Sequence, residues 1–386
     1  MATAVGFTST LRDYFLGDDF AYVGRYWDFP FAAWPRLFVG DWAGGLWSAR
    51  LNELRPFNAL LFMIDGRLWG VNPLGFHLTN LLLHAGCATL VGVLALRVTG
   101  RSLGGALLAT VLFAVHPVHA TAVTWICGRV DLLATGLALA ALLAFLRDRD
   151  ERPGETRFLW LLAVAFAGLL WTKEVGFTFP ALLIAADTIL LGRLARWREW
   201  RTWRPYVVVA AVFAVYLACR GIAFGVAGPS GVGAGLPDVT RGAFFAEFFQ
   251  REFSYAAYLA PPTQPWLRAW RDAGFALEGR SLARLGLLAT GVIVLAGAVA
   301  LSCRGARAQV DRRALGFFGA AWFLIATTPL MVTYFSPRHL YPATVGVAVV
   351  VALLIRGLLR TRVAFALGAC ALAALFAGQL FRALAP

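Results

Sequence analysis

The stretch ALGFFGAAWFLIATTPLMV, from Ala314 to Val332, decides the fold class. It holds no charged residue and is continuously apolar rather than alternating, so it reads as a helix that satisfies its own backbone in lipid and not as a barrel strand. A second such run extends from Ala364 to Leu380. Working outward on the same criterion, spans are expected at 76–97, 103–122, 130–147, 157–172, 175–192, 205–225, 284–303, 314–333, 340–357 and 363–382. The expectation is an all-α, polytopic membrane protein with about ten helices, forming one integral domain over 1–386. Within it lie a first external loop with an interfacial helix (1–75), N-terminal helices (76–225), an external loop with an amphipathic helix (226–283) and C-terminal helices (284–386). No repeat of 20 to 50 residues is visible.

Composition agrees: 60% of the residues are hydrophobic and 15% charged, more apolar than a soluble core requires. The formal charge of +14 invites a nucleic-acid reading, but the arginines cluster in short loops between apolar runs, where they orient a chain in a bilayer. Anionic membrane lipid is the expected counter-charge, and no nucleic-acid partner is expected. Cys87, Cys127, Cys219, Cys303 and Cys370 lie in or beside apolar runs without CxxC spacing, so neither a disulfide framework nor a zinc ribbon is indicated. Lys173 is the single lysine in a chain that otherwise uses arginine, which singles it out.

Arginine-rich loops at 147–157, 193–204, 304–313 and 356–362 are expected to face the cytoplasm. The first span then runs inward, leaving residues 1–75 outside. Met1 to Gly17 is too short and polar to cross and lacks the pattern of a cleavable leader, so the natural start is expected upstream, with an initial span lost. Residues 51–69 mix Leu and Phe with Glu53, Arg55, Asp65 and Arg67, and Phe244 to Leu259 is interrupted by Glu247, Arg251 and Glu252. Both segments are expected to lie along the interface rather than cross it.

This threading brings the remaining polar clusters to one side, and charge at membrane depth persists where it lines a wet cavity or does a job. Asp18-Asp19 reads as a general base whose neighbour raises its pKa, or as a helix cap. His116 and His119 flank Pro117 and Val118 and could bind a divalent metal with Asp131 or Glu174, or sit at a helix end meeting water and carbonyls. Arg129 and Asp131 open the next span, either lining the pocket or supporting a helix start. Lys173-Glu174 closes the apolar run from Phe158 to Trp171; the ammonium either meets a lipid phosphate or snorkels. Arg338-His339 follows Pro337 in a short external loop that ordinarily avoids arginine, fitting a phosphate fork or an ion pair to Glu174 or Asp131. His77, Asn80 and His84 form one helical stripe that braces neighbouring helices.

In order, Asp18-Asp19, Arg55-Pro56, the run Gly75 to His84 (GFHLTNLLLH), His116 to His119 (HPVH), Gly128 to Asp131 (GRVD), Thr172 to Glu174 (TKE) and Arg338 to Pro342 (RHLYP) resemble one family. It is similar to the membrane region of the transmembrane and tetratricopeptide-repeat O-mannosyltransferases and their bacterial relatives, which are GT-C glycosyltransferases. The likeness covers residues 18–345. It implies a polyprenyl-phosphate-linked sugar donor, a protein or lipid acceptor, and inverting transfer outside the cytoplasm, here the periplasmic face of a bacterial inner membrane. By position, Asp18 or Asp19 would be the catalytic base. Lys173, Arg338 and Arg129 would hold donor phosphate, with Arg55, His77, His116, His119, Asp131, Glu174, His339 and Tyr341 around the pocket. The family has a membrane helix before its acidic pair that this chain lacks, and many members carry C-terminal repeats whereas this chain stops at Pro386, so the acceptor stays open. The competing reading is a transporter or lipid flippase, whose charges would gather at the midplane around broken helices.

Overall fold

The computed structural model describes residues 7–46, 51–99, 102–150, 155–192, 198–225, 243–259, 312–332 and 336–358, and all regular structure among them is helical. Two helices, α1 (Asp18–Tyr26) and α2 (Pro56–Trp69), flank the 3-10 stretch Phe31–Val39. The bundle follows as α3 (Pro73–Val98), α4 (Leu103–Ala114), α5 (Ala120–Thr124), α6 (Arg129–Asp150), α7 (Thr156–Leu170), α8 (Phe179–Ala185) and α9 (Trp200–Phe224). After these come α10 (Ala243–Tyr258), α11 (Arg312–Thr327) and α12 (Thr344–Leu358).

Local chemistry sets the helix starts. Asn72 accepts from the Leu74 N–H at 3.2 Å with Pro73 in the first turn, and Ser102 accepts from the Gly105 N–H at 3.1 Å. Gly225, at φ 72°, takes the left-handed conformation that closes α9. In the bundle α6 packs on α7 and α3, α4 joins α3 to α12, α9 lies against α7, and α11 rests on α12 and α8. The most apolar stretch of α6 is 72% buried and that of α9 only 17%, so α6 is the interior helix and α9 a peripheral one. Where α11 crosses α12, a Cβ on Gly346 would stand 2.9 Å from the Gly319 carbonyl; the small residues let the backbones touch.

The expected spans at 76–97, 130–147 and 205–225 fall on α3, α6 and α9, the described helices long and apolar enough to cross a bilayer unaided. The expected span 103–122 is a bent pair, Leu103–Ala114 and Pro117–Thr124, meeting at 43° where Pro117 removes a backbone donor. Those at 157–172, 314–333 and 340–357 correspond to the shorter apolar helices α7, α11 and α12. The expected helix over 175–192 is not one helix but a 3-10 turn (Glu174–Thr178), α8, and a π-helical turn (Ala186–Leu190). Pro180 sits in the first turn of α8, where its missing N–H leaves no helical bond unmade, and the residues before it form the 3-10 turn. The spans at 284–303 and 363–382 lie outside the described residues.

The π turn has a partner. Asp187 accepts from Arg149 Nη2 at 2.6 Å and from the Tyr206 hydroxyl at 2.9 Å, while the same arginine nitrogen reaches the Thr202 carbonyl at 2.6 Å. Arg149, which in sequence looks like one more orienting charge, thus locks α6, α8 and α9 together at the end of α6 opposite Asp131.

Candidate active site

Asp18 and Asp19 open α1, where two acids meet the positive end of the helix. They part company at once. Asp19 is 1% exposed; one oxygen accepts from the Leu16 N–H at 3.0 Å and the other from the Cys127 N–H at 2.9 Å, more than a hundred positions away. Asp18 is half-buried, with no hydrogen bond or ion pair among the described residues. Burial pushes the Asp19 carboxyl above the usual carboxylate range, although the two N–H groups pull the other way.

The segment offering the Cys127 N–H is held rigidly. Asn80 Nδ2 lies 3.0 to 3.4 Å from the carbonyls of Val123, Trp125 and Ile126. Gly128 passes so near the Ala122 carbonyl that a side chain would collide with it. Arg129, fully buried, gives Nε to the Ile126 carbonyl (3.2 Å), Nη1 to Asp65 (2.7 Å) and Nη2 to the Phe76 carbonyl (3.1 Å), and its guanidinium lies 4.4 Å from the Phe62 ring centre. Thr79 donates to the other Asp65 oxygen at 2.6 Å. Each nitrogen of Arg129 is therefore engaged by protein, and it stands apart from the other cations named as phosphate ligands. His77, on α3, lies beside Asp13, Asp19 and Arg129.

Lys173 and Arg338 converge on Asp131. Lys173 forms an ion pair with Asp131 Oδ1, and Arg338 Nη1 stands 3.8 Å from Oδ2. Both cationic side chains remain 14% exposed and Asp131 only 1%. Arg338 also stacks on Trp125 at 4.5 Å, and the Trp125 indole donates to the Leu16 carbonyl at 3.2 Å, next to the Asp19 anchor. The seven-residue path from Trp125 to Asp131 thus borders both the acidic pair and the two cations. Burial lowers the Lys173 pKa, Asp131 opposes that shift, and Arg338 adds to it. His339, 5% exposed, lies among the same charges.

A third group adjoins these. Arg55 Nη2 bridges Glu53 at 2.8 Å and Glu174 at 2.9 Å, and Trp42 donates to Glu53 at 2.7 Å. Burial alone would raise the Glu174 pKa, but the Arg55 guanidinium holds it below the usual range. One turn along α6 from Asp131 is an apolar cleft, lined by Ala134, Thr135, Leu182, Trp322, Ile325 and Pro342 among others.

The remaining histidines do something else. His84 pairs Nδ1 with the Tyr341 hydroxyl (2.7 Å) and Nε2 with the Ala114 carbonyl (3.0 Å), and His119 Nε2 meets Thr344 at 2.8 Å. His116 Nδ1 accepts from the Val118 N–H at 3.2 Å. These contacts tie α3 to the end of α4 and to the turn before α12, and the segment after α4 to the first residue of α12. Among the described residues no three His, Cys, Asp or Glu side chains come together to hold a metal, so the metal reading weighed for His116 and His119 gains no ligand set there. Sequence reasoning did not single out Trp125, Glu53 or Trp42; Trp125, three positions before Gly128, was visible as an aromatic beside a motif, while Trp42 and Glu53 acquire meaning only from Arg55.

No family model matches the chain. It is 34% identical over 183 residues to the human protein O-mannosyl-transferase TMTC4, a match covering 40% of this chain and 24% of that protein. It is 32% identical to mouse protein O-mannosyl-transferase TMTC2 over 171 residues (43% and 20%). The chain thus spans about a quarter of the length of the curated relatives it matches. Among solved structures it resembles ArnT from Cupriavidus metallidurans bound to undecaprenyl phosphate, with TM-score 0.52 and 14% identity, covering 92% of this chain and 58% of ArnT. That likeness speaks to fold. The chain is accordingly a multi-pass membrane protein with a GT-C type fold, resembling the protein O-mannosyl-transferases in sequence.

Proposed function

We propose that the protein is an inverting glycosyltransferase of a bacterial inner membrane. It moves a sugar from a polyprenyl-phosphate donor to a hydroxyl of a protein or lipid acceptor on the periplasmic face. One observation supports the reading: two partly exposed cations converge on buried Asp131, and an apolar cleft lies close by in the chain. Among its lining residues, Ala134 and Thr135 lie one turn beyond Asp131, Val175 two residues beyond Lys173, and Pro342 four residues beyond Arg338. An anionic head on a long apolar tail fits that arrangement. The names of the relatives, protein O-mannosyl-transferases, make mannose the first sugar to try.

Asp18 is the better placed base, since Asp19 is buried and its oxygens are held by two N–H groups. Asp18 takes the proton from the acceptor hydroxyl, whose oxygen forms a bond to the anomeric carbon. The bond from that carbon to phosphate oxygen breaks, and its electron pair leaves on the phosphate beside Lys173 and Arg338. Attack opposite the leaving group inverts the anomeric carbon. In the free protein Asp131 neutralises Lys173; a bound phosphate competes for the same ammonium.

Incubating the protein in proteoliposomes with radiolabelled undecaprenyl-phosphate mannose and an acceptor extract tests this. The label should pass to acceptor in the wild type and not in Asp18→Asn. Label that crosses the bilayer still attached to lipid would establish a flippase and end the transferase reading.

A further inference from the structure

The Glu53–Arg55–Glu174 group has more charge than a fastening between the N-terminal layer and the bundle requires. Neutral bonds already make that fastening: Asn58 donates to the Thr172 carbonyl at 2.7 Å, and the Trp171 indole to the Phe38 carbonyl at 3.3 Å. Both carboxylates draw on one Arg55 nitrogen, Nη2. Arg55 Nε and Glu174 Oε1 are buried and find no hydrogen-bond partner among the described residues, and neither does Asp131 Oδ2. A buried polar atom without a partner costs about 1–3 kcal/mol, so unmet polar atoms on a partly exposed charged group point to a ligand. The side chains of Arg55 and Glu174 remain 14% and 17% exposed, so a ligand has access.

The unmet set is one donor and two acceptors, with charged groups on each side. A phosphate alone would not suit it, because two of the three atoms are carboxylate oxygens. A hydroxyl, which donates and accepts at once, suits both kinds. Glu174 directly follows Lys173 in the chain, and Arg55 bonds Glu174 at 2.9 Å, which sets this pair next to the residue assigned to the donor phosphate.

We propose that Arg55 and Glu174 form the subsite that grips the hydroxyls of the donor sugar, with Asp131 Oδ2 as an auxiliary acceptor. This rests on the donor reading above, and the test separates the two. Affinity is measured for undecaprenyl-phosphate mannose, for its singly deoxygenated analogues, and for undecaprenyl methyl phosphodiester, which keeps the single charge and lacks the sugar. In the wild type the mannosyl lipid should bind more tightly than the methyl diester, and at least one deoxy analogue should lose about tenfold, the scale for an unpaired polar group in a site built for a hydroxyl. In Glu174→Gln and Arg55→Lys the preference for the mannosyl lipid should collapse, while affinity for the methyl diester stays within about twofold.

Equal weakening of both lipids in the variants would overturn the subsite. So would a wild type indifferent to every deoxy analogue, a result that requires no variant to fold. A wild type that binds neither lipid would remove the donor reading itself, and the subsite with it.

Discussion

The Asp19 carboxylate accepts the backbone N–H of Cys127 at 2.9 Å, joining the start of α1 to the turn that precedes α6. That bond gives the acidic pair a division of labour. Asp19 fixes the N-terminal layer against a turn already held by Asn80 and Arg129, and under the proposed mechanism Asp18 is then the carboxylate that meets the substrate.

Asp18→Asn should abolish transfer, by about 10²–10⁴-fold, the usual worth of a general base, with thermal stability unchanged. Asp19→Asn should instead lower the melting temperature. An amide has one acceptor oxygen for the two N–H groups of Leu16 and Cys127, and leaving one unmet costs about 1–3 kcal/mol. Measuring turnover and melting for both variants checks the split; unaltered turnover in Asp18→Asn would return the role of base to Asp19.

Lys173→Met should raise the KM for donor and also destabilise the fold. It strands the Asp131 carboxylate, 1% exposed, and removing one partner of a buried pair costs about 3–5 kcal/mol. Adding Asp131→Asn should restore much of the stability without restoring donor affinity. Recovery of both by the double variant would mean that Lys173 serves only Asp131.

Arg129→Lys isolates the remaining cation. An ammonium cannot serve the Ile126 and Phe76 carbonyls together with Asp65 from its position between two aromatic rings, so stability should fall by about 2–4 kcal/mol. Because Arg129 is fully buried and each of its nitrogens already bonds protein, the KM for donor in the folded fraction should stay at the wild-type value. A rise matching that of Lys173→Met would place Arg129 on the phosphate after all.

The helical class was legible because long uncharged runs admit no other backbone in lipid, and the grouping of Lys173, Asp131 and Arg338 because charges there need a shared reason. Other features were not legible. Asp65 looked like an interruption that keeps α2 out of the membrane, yet it neutralises Arg129 across a gap of 64 positions, a pairing local pattern cannot reveal. His116 and His119 share the spacing of metal ligands, and no local pattern announces that Thr344 arrives from the distant α12 to meet His119. The break of the expected 175–192 span was foreshadowed by Pro180, which a hydropathy window averages away.

Glu252 on α10 offers a pH test. It is 6% exposed, accepts from the Thr327 hydroxyl of α11 at 2.7 Å, and its other oxygen has no hydrogen-bond partner among the described residues. Burial, only partly offset by Thr327, pushes its pKa from 4.5 up to about 7, and among the described residues Tyr255 lies within its field, beside Arg251. The folded form therefore binds a proton that the unfolded form has released between those two values. The resulting stability is fully present below pH 4.5 and is lost as pH rises through about 7. Contact between α10 and α11 should weaken by about 1–3 kcal/mol between pH 5 and pH 8, read as faster amide exchange in Phe248 to Tyr258 after correction for the intrinsic rate. Glu252→Gln, which stays neutral and keeps the bond to Thr327, should exchange at the slow, pH 5 level throughout. A wild type whose corrected protection does not change with pH would show that the carboxyl is already ionised in the fold.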